Sequence, residues 1–100
     1  MKRFSYRKET AMSTDERVYI GSKPILAYVT AVITALSKAD SVNVMARGRA
    51  ISSAVDVVEV TKRSFMRDMK VDDISIGTEI LGEEGNKRNV STIAIKLSKP

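Results

Sequence analysis

The sequence predicts an α+β fold, a two-layer sandwich with the element order β-α-β-α-β-β and helices on one face of a mixed sheet. Apolar residues recur every three or four positions in two separate segments, which is typical of amphipathic helices. After residue 71 the apolar period changes to two and is broken once by a Gly-containing polar loop, which is typical of a β-hairpin. A chain of 100 residues with 43% hydrophobic content is enough for one compact domain.

The first strand and helix are predicted from a short β-prone segment and the helix entry that follows it. The strand covers residues 17–20, with the sequence Arg-Val-Tyr-Ile. Ser22 is expected to cap the helix, and Pro24 suits its first turn because no N–H is needed there. Residues 38–41 end the helix. Its apolar stripe consists of Ile25, Tyr28 or Val29, Val32 or Ile33, and Leu36.

The second strand and helix are predicted over residues 42–46 and 50–66. Glu59 and Arg63 form a favourable i,i+4 pair on this helix. Residues 61–63 interrupt the apolar period, so the pattern supports the last turn less strongly than the rest of the helix. The buried side is expected to carry Ile51, Ala54 or Val55, Val58 and Phe65.

The remainder of the chain is predicted to form a long β-hairpin arm. Residues 82–88 are the polar loop, and alternation resumes over residues 90–97. Side chains at alternate positions of a strand share a face. One face is therefore expected to carry Ile74, Ile76, Thr78 and Ile80 on the first strand, with Ile93, Ile95 and Leu97 on the second.

Composition favours a polyanion partner and excludes several kinds of chemistry. The chain has 17 Lys and Arg against 12 Asp and Glu, a net charge of +5. It contains no cysteine and no histidine, so disulfides, thiol nucleophiles and the usual general base are excluded. We expect no catalytic residue, metal, cofactor or small-molecule substrate.

No apolar run approaches the ~20 residues that cross a bilayer, and the first residues lack a signal-peptide core, so we expect a soluble intracellular protein without a membrane partner.

Residues 1–16 are predicted to be a flexible N-terminal tail, with the domain occupying residues 17–100. Counting Arg17, this segment carries five basic residues against three acidic ones and shows no apolar period. A cationic arm that adds to polyanion binding and a leader without a role both fit this composition.

Three groups of basic residues are candidate contacts for a polyanion. Arg47 and Arg49 flank Gly48, and they share a face if the strand extends that far; unpaired guanidinium groups beside a bare glycine suit phosphate. Lys23 lies at the first helix entry, where free backbone N–H groups also favour an anion. Lys87 and Arg88 lie near the hairpin tip. Each group also has an ordinary interpretation, either solvation or pairing with nearby acids, such as Glu83 and Glu84 at the tip.

Four segments of the sequence resemble the Alba family of archaeal chromatin proteins. The resemblance implies the same topology, similar to the C-terminal domain of translation initiation factor three. It also implies a homodimer that binds double-stranded DNA with little sequence preference, and often RNA. The segments are residues 18–24 (Val-Tyr-Ile-Gly-Ser-Lys-Pro), 46–52 (Ala-Arg-Gly-Arg-Ala-Ile-Ser), 54–59 (Ala-Val-Asp-Val-Val-Glu) and 90–93 (Val-Ser-Thr-Ile).

The same resemblance implies roles for individual residues. The loop before the first helix and the strand-end arginines lie on the duplex, and paired hairpin arms reach toward the minor groove. Phe65 matches a position where dimers touch along DNA, although it also fits plain core packing. The nucleic-acid contacts implied are Ser22, Lys23, Arg47, Gly48, Arg49, Lys87 and Arg88.

This chain departs from the family pattern at two places. Many members carry a second lysine, the site of a charge-removing acetylation, where this chain has Ser22, so that switch does not transfer. Basic hairpin positions of some members align with Asn86 and Asn89, which makes the tip contacts weaker predictions than the arginine pair.

Four functions fit the sequence. The leading one is a dimeric architectural protein that coats and compacts DNA in the cytoplasm, associated with the chromosome. The alternative is an RNA-binding ribonucleoprotein subunit that tracks the A-form backbone. A nuclease would need a carboxylate cluster, for which Asp72-Asp73 or Glu83-Glu84 are the adjacent pairs, although such pairs usually solvate strand ends. A protein–protein scaffold would bind neither polymer.

Overall fold

A computed structural model describes residues 15–100 and confirms the predicted fold class and order of elements. The predicted tail therefore lies outside the described residues, except for Asp15 and Glu16, which form the beginning of the first strand. The strand starts two residues before the predicted one and ends one residue earlier. The elements are β1 (Asp15–Tyr19), α1 (Ile25–Lys38), β2 (Ser41–Arg47), α2 (Ala50–Val60), a π-helical turn (Thr61–Phe65), β3 (Lys70–Leu81) and β4 (Arg88–Ser98).

The four strands form one mixed sheet in the order β1-β2-β4-β3. β1 and β2 are parallel, whereas β4 is antiparallel to both β2 and β3. One row of paired residues crosses the whole sheet and consists of Val18, Val44, Ile95 and Ile74. Since directly paired residues point to the same face, this row identifies the face that holds the core.

The hydrophobic core lies between that face and the two helices. The strands contribute mainly β-branched residues, which pack well on a pleated surface. Helix α1 turns its predicted apolar stripe toward the sheet, and α2 contributes its buried side in the same way. The most completely buried core side chains are Val29, Val32, Leu36, Val42, Val44, Val57, Met69 and Leu97.

Helix α1 begins differently from the prediction. Pro24 occupies the N-cap position rather than the first turn, and no side chain caps the helix. The predicted cap by Ser22 is therefore wrong, and Ser22 is exposed in the loop. A proline at this boundary still limits where the helix can begin, because its ring restricts the residue before it to an extended conformation.

The end of the second helix also differs from the prediction. A regular helix ends at Val60, and the next turn widens so that the Met66 N–H donates to the Thr61 carbonyl at 2.8 Å. The buried Thr61 hydroxyl donates to the Val57 carbonyl at 2.7 Å. The wider turn places Phe65 at the surface with 56% of its side chain exposed, so its predicted burial is wrong.

The predicted apolar face of β3 exists but is not covered. The register places Ile74 opposite Ile95 and Ile76 opposite Ile93, on the core side of the sheet. Nevertheless Ile74, Ile76 and Ile80 are 58%, 73% and 67% exposed. The helices lie over β1 and β2, and β3 is the edge strand beyond β4. The fold thus leaves an apolar strip, formed by these three isoleucines, open to solvent.

Candidate nucleic-acid interface

The carboxyl ends of β1 and β2 bring two basic segments to one edge of the sheet. The strands are parallel and in register, with Tyr19 opposite Met45, and the Ile20 N–H donates to the Met45 carbonyl at 2.8 Å. The loop of residues 21–24 leaves β1 at this edge, and the turn of residues 48–49 leaves β2 there. The topology therefore brings Lys23 to the same edge as the arginine pair.

The loop that carries Lys23 is held by a side chain of the helix that follows it. The Tyr28 hydroxyl oxygen accepts hydrogen bonds from the backbone N–H groups of Gly21 at 2.8 Å and Lys23 at 3.0 Å. The N–H of Lys23 is therefore already used and is not one of the free donors expected at the helix start. The Lys23 side chain is exposed. Sequence reasoning placed Tyr28 only in the apolar stripe, and no local pattern indicates this second role.

Gly48 makes the turn between the two arginines. Its φ of +59° is in the left-handed region that glycine adopts without strain. Its N–H donates to the Ser91 carbonyl at 2.8 Å, and its own carbonyl accepts from the Ile51 N–H at 3.1 Å. The strand therefore ends at Arg47, and Arg49 occupies the N-cap position of α2. The condition for the two arginines to share a strand face is not met, and a turn separates them instead.

Arg47 is paired with an acidic residue, which is one of the two interpretations that the sequence left open. Its Nη1 atom lies 2.7 Å from the Oε1 atom of Glu79 on β3. The row of paired residues that contains Arg47 continues through Thr92 to Gly77, and Glu79 lies two residues further along β3 on the same face. This is the face opposite the helices. The ion pair bridges β4, and sequence reasoning missed Glu79 because no local pattern reveals the register of three strands.

The hairpin arm extends past the same edge of the sheet. Arg47 is opposite Thr92, so residues 88–91 of β4 and their β3 partners continue beyond the end of β2. Four residues of a strand span about 13 Å. Lys87 lies at the tip, with its Nζ atom 4.0 Å from Glu84, and Arg88 is the first residue of β4. The arm therefore carries two more cations away from the body of the domain.

The basic side chains of this edge differ in whether an acidic side chain already pairs with them. Within residues 15–100, Lys23, Arg49 and Arg88 are exposed and form no ion pair. Arg47 has its short contact with Glu79, and Lys87 has a long one with Glu84. The strand-end turn, the helix-entry loop and the arm together present a cationic edge, formed by Lys23, Arg47, Arg49, Lys87 and Arg88.

The acidic pairs do not assemble into a metal site. In the described part of the chain, no three His, Cys, Asp or Glu side chains are grouped so that they could hold a metal ion. Asp73 follows an irregularity in the β3 register and accepts a 3.0 Å hydrogen bond from the Ser75 hydroxyl. Across residues 15–100, no helix has both the length and the apolar character needed to cross a bilayer.

Comparison with known proteins agrees with this fold. The sequence profile of the Alba family matches residues 16–78. The chain belongs to the Alba family. The DNA/RNA-binding protein Alba of Methanothrix thermoacetophila is 49% identical over 89 residues, covering 88% of this chain and 100% of the relative. The protein of the same name from Methanocella arvoryzae is 45% identical over 91 residues, covering 89% of this chain and 95% of the relative.

A solved member of the Alba family has the same architecture. The structure of Alba from Thermoplasma volcanium superimposes with a TM-score of 0.77 and is 40% identical, covering 84% of this chain and 100% of the other. Alba family proteins are nucleic-acid-binding architectural proteins, and the prediction that this chain is not an enzyme is confirmed by its membership.

Proposed function

We propose that this chain is an architectural protein that binds double-stranded DNA without sequence preference, coating and compacting it as a dimer on the chromosome. The observation that carries the proposal is the cationic edge, where exposed Lys23 and Arg49 share one edge of the sheet with Arg47, and the arm that bears Lys87 and Arg88 extends outward. Phosphate contacts of this kind fix a protein on a duplex without reading its bases. The names of relatives, DNA/RNA-binding protein Alba, support a nucleic acid as the partner.

Dimerisation is supported by the open apolar strip of β3. Ile74, Ile76 and Ile80 lie on the core side of the sheet, yet each is more than half exposed. A contiguous apolar surface of this kind is costly in water and is usually covered by a partner. A second copy covers both strips at once, because a two-fold interface uses the same patch on each subunit. The dimer then presents two cationic edges, and their weak phosphate contacts act together.

Phe65 is proposed as a contact between dimers that are neighbours along DNA. The π-helical turn holds this side chain at the surface, so the alternative of core packing within one chain does not apply. An exposed aromatic supplies a large apolar area for a small loss of conformational entropy. Adjacent dimers that share such contacts bind cooperatively.

RNA is the second candidate partner, because the relatives' names include it. The same cationic edge suits an A-form backbone, and contacts to the 2′-hydroxyl would distinguish RNA from DNA. The chain has three Tyr, two Phe and no Trp, so stacking platforms for single strands are not favoured. In this case the chain acts as a ribonucleoprotein subunit in RNA processing or stabilisation.

The test is a fluorescence-anisotropy titration of the full chain with DNA and RNA duplexes of matched sequence, over a series of salt concentrations. If three basic side chains per subunit contact phosphate, the log–log salt slope of the dimer is about −5. Equal or tighter binding to DNA, with this slope and no dependence on sequence, supports the architectural function. A clear preference for RNA at physiological salt supports the ribonucleoprotein function, and binding to neither duplex contradicts both.

A further inference from the structure

We propose that Glu79 is an intramolecular competitor of phosphate that lowers the affinity of the cationic edge by occupying Arg47. The inference rests on the proposed function, because it concerns how this edge takes up a nucleic acid. The carboxylate of Glu79 presents to the Arg47 guanidinium the same kind of planar, anionic acceptor that a phosphate does. Binding then requires an exchange of partners at Arg47, whereas Lys23 and Arg49 have no carboxylate partner among residues 15–100.

The geometry places Glu79 within reach of Arg47 across the sheet. Strands β2 and β3 flank β4, so their backbones are separated by roughly 10 Å, two strand spacings. Arg47 and Glu79 reach toward each other over β4, on the face that also carries Thr92, the partner of Arg47, and Val90, the partner of Glu79. The Nη1–Oε1 distance is 2.7 Å, a strong charge-assisted hydrogen bond.

The ion pair is accessible enough to be exchanged. The side chains of Arg47 and Glu79 are 58% and 49% exposed, so both are in contact with water and open to a ligand. Exposed pairs favour their closed state by only about 1.4- to 5-fold. The hairpin does not depend on this pair, since β3 and β4 are joined by backbone pairing from residue 70 to residue 98. Glu79 therefore adjusts affinity without holding the fold together.

A competitor and a positioning residue predict opposite results for the substitution Glu79→Gln. If Glu79 competes, its neutral isostere releases Arg47, and affinity for a DNA duplex rises about 1.4- to 5-fold per subunit. If Glu79 instead orients Arg47 toward phosphate, its loss lowers affinity. The salt slope separates the cases further. In the wild type, Arg47 releases a counterion from the DNA, but the freed Glu79 carboxylate takes up a cation from solution, and the two effects cancel. The variant Glu79→Gln keeps the release and loses the uptake, so its salt slope is steeper by up to about 0.9 per subunit.

The matched control is Asp40→Asn, which changes the net charge equally at the other end of β2. Asp40 precedes Ser41, and its carboxylate lies 4.0 Å from the Lys99 Nζ atom in an exposed pair. It is about 20 Å from Arg47 along the strand. We expect a small gain in affinity that reflects net charge alone, without a steeper slope.

The full experiment is an anisotropy titration of one DNA duplex with wild type, Glu79→Gln, Asp40→Asn, Arg47→Ala and the double variant of residues 47 and 79. The proposal is supported if Glu79→Gln binds the duplex more tightly than the wild type and has a steeper salt slope. In the Arg47→Ala background, the effect of Glu79→Gln on affinity and slope is then no larger than that of Asp40→Asn. Weaker binding, or a gain equal to that of Asp40→Asn, overturns the proposal while leaving the proposed function intact. Wild type that fails to bind the duplex overturns both.

Discussion

The hydroxyl group of Tyr28 accepts a 3.0 Å hydrogen bond from the backbone N–H of Lys23, five residues before it in the chain. The same oxygen accepts from Gly21 at 2.8 Å, so one buried ring anchors the loop that leaves β1. The core and the cationic edge are thus connected through one side chain. A basic residue on a loop gains precision when that loop is held by a rigid element.

Replacing Tyr28 with Phe is expected to loosen this loop while leaving the apolar packing of the ring in place. Two backbone donors lose their acceptor, which costs about 1–2 kcal/mol of folding free energy because water replaces it only in part. Affinity for duplex DNA falls as well, since Lys23 is less well placed. Urea unfolding and anisotropy titration measure the two effects. Tyr19→Phe is the control, because Tyr19 is 65% exposed, and a change of similar size there would contradict the anchoring role.

Replacing Arg49 with Ala is expected to weaken binding to all duplex sequences by the same factor. Arg49 is exposed and has no acidic partner among residues 15–100, so its loss removes a phosphate contact directly. The salt slope becomes shallower by about 0.9 per subunit. Lys70→Ala is the control, because Lys70 is opposite Ser98 at the other end of the sheet. Unequal losses between duplex sequences would indicate base readout by Arg49.

Replacing Ile76 with Asp is expected to convert the proposed dimer to a monomer. Ile76 is 73% exposed on the apolar strip, and a carboxylate there is unpaired when a second copy covers it. Sedimentation equilibrium measures the mass in solution, and circular dichroism verifies that the monomer is folded. Leu26→Asp is the control at an exposed apolar position of α1, 62% exposed. If both variants stay dimeric, the strip is not the interface.

Replacing Phe65 with Ala is expected to remove cooperativity along DNA without changing the affinity of one dimer for a short duplex. The side chain is more than half exposed, so the loss of folding free energy is small, about 1 kcal/mol or less. Titrations with a duplex long enough for several dimers, compared with a single-site duplex, measure the difference. Val55→Ala, at an exposed apolar position of α2, is the control. Unchanged binding curves on the long duplex would argue against contact through Phe65.

Periodicity predicted the elements well where apolar residues recur on one face of an element. The stripe of α1 and the alternation of β3 and β4 appear in the structure close to their expected limits. The failures lie at element ends, where a few hydrogen bonds decide the conformation. Ser22 caps nothing because Pro24 takes the N-cap position, and the chain widens at Thr61 into a π-helical turn that exposes Phe65.

The candidate interface was likewise predictable from the sequence only in part. Local pattern and composition established the basic character of the Lys23 loop and the arginine turn, and the βαβ order placed both at one edge of the sheet, because parallel strands end together. Only the tertiary structure showed that Glu79 pairs with Arg47, that Tyr28 holds the Lys23 loop, and that β3 lies beyond the helices. These contacts join residues far apart in sequence or depend on the register of three strands. Short-range periodicity carries no information about long-range contacts or about strand register, so these contacts are decided only when the strands pair and the helices pack.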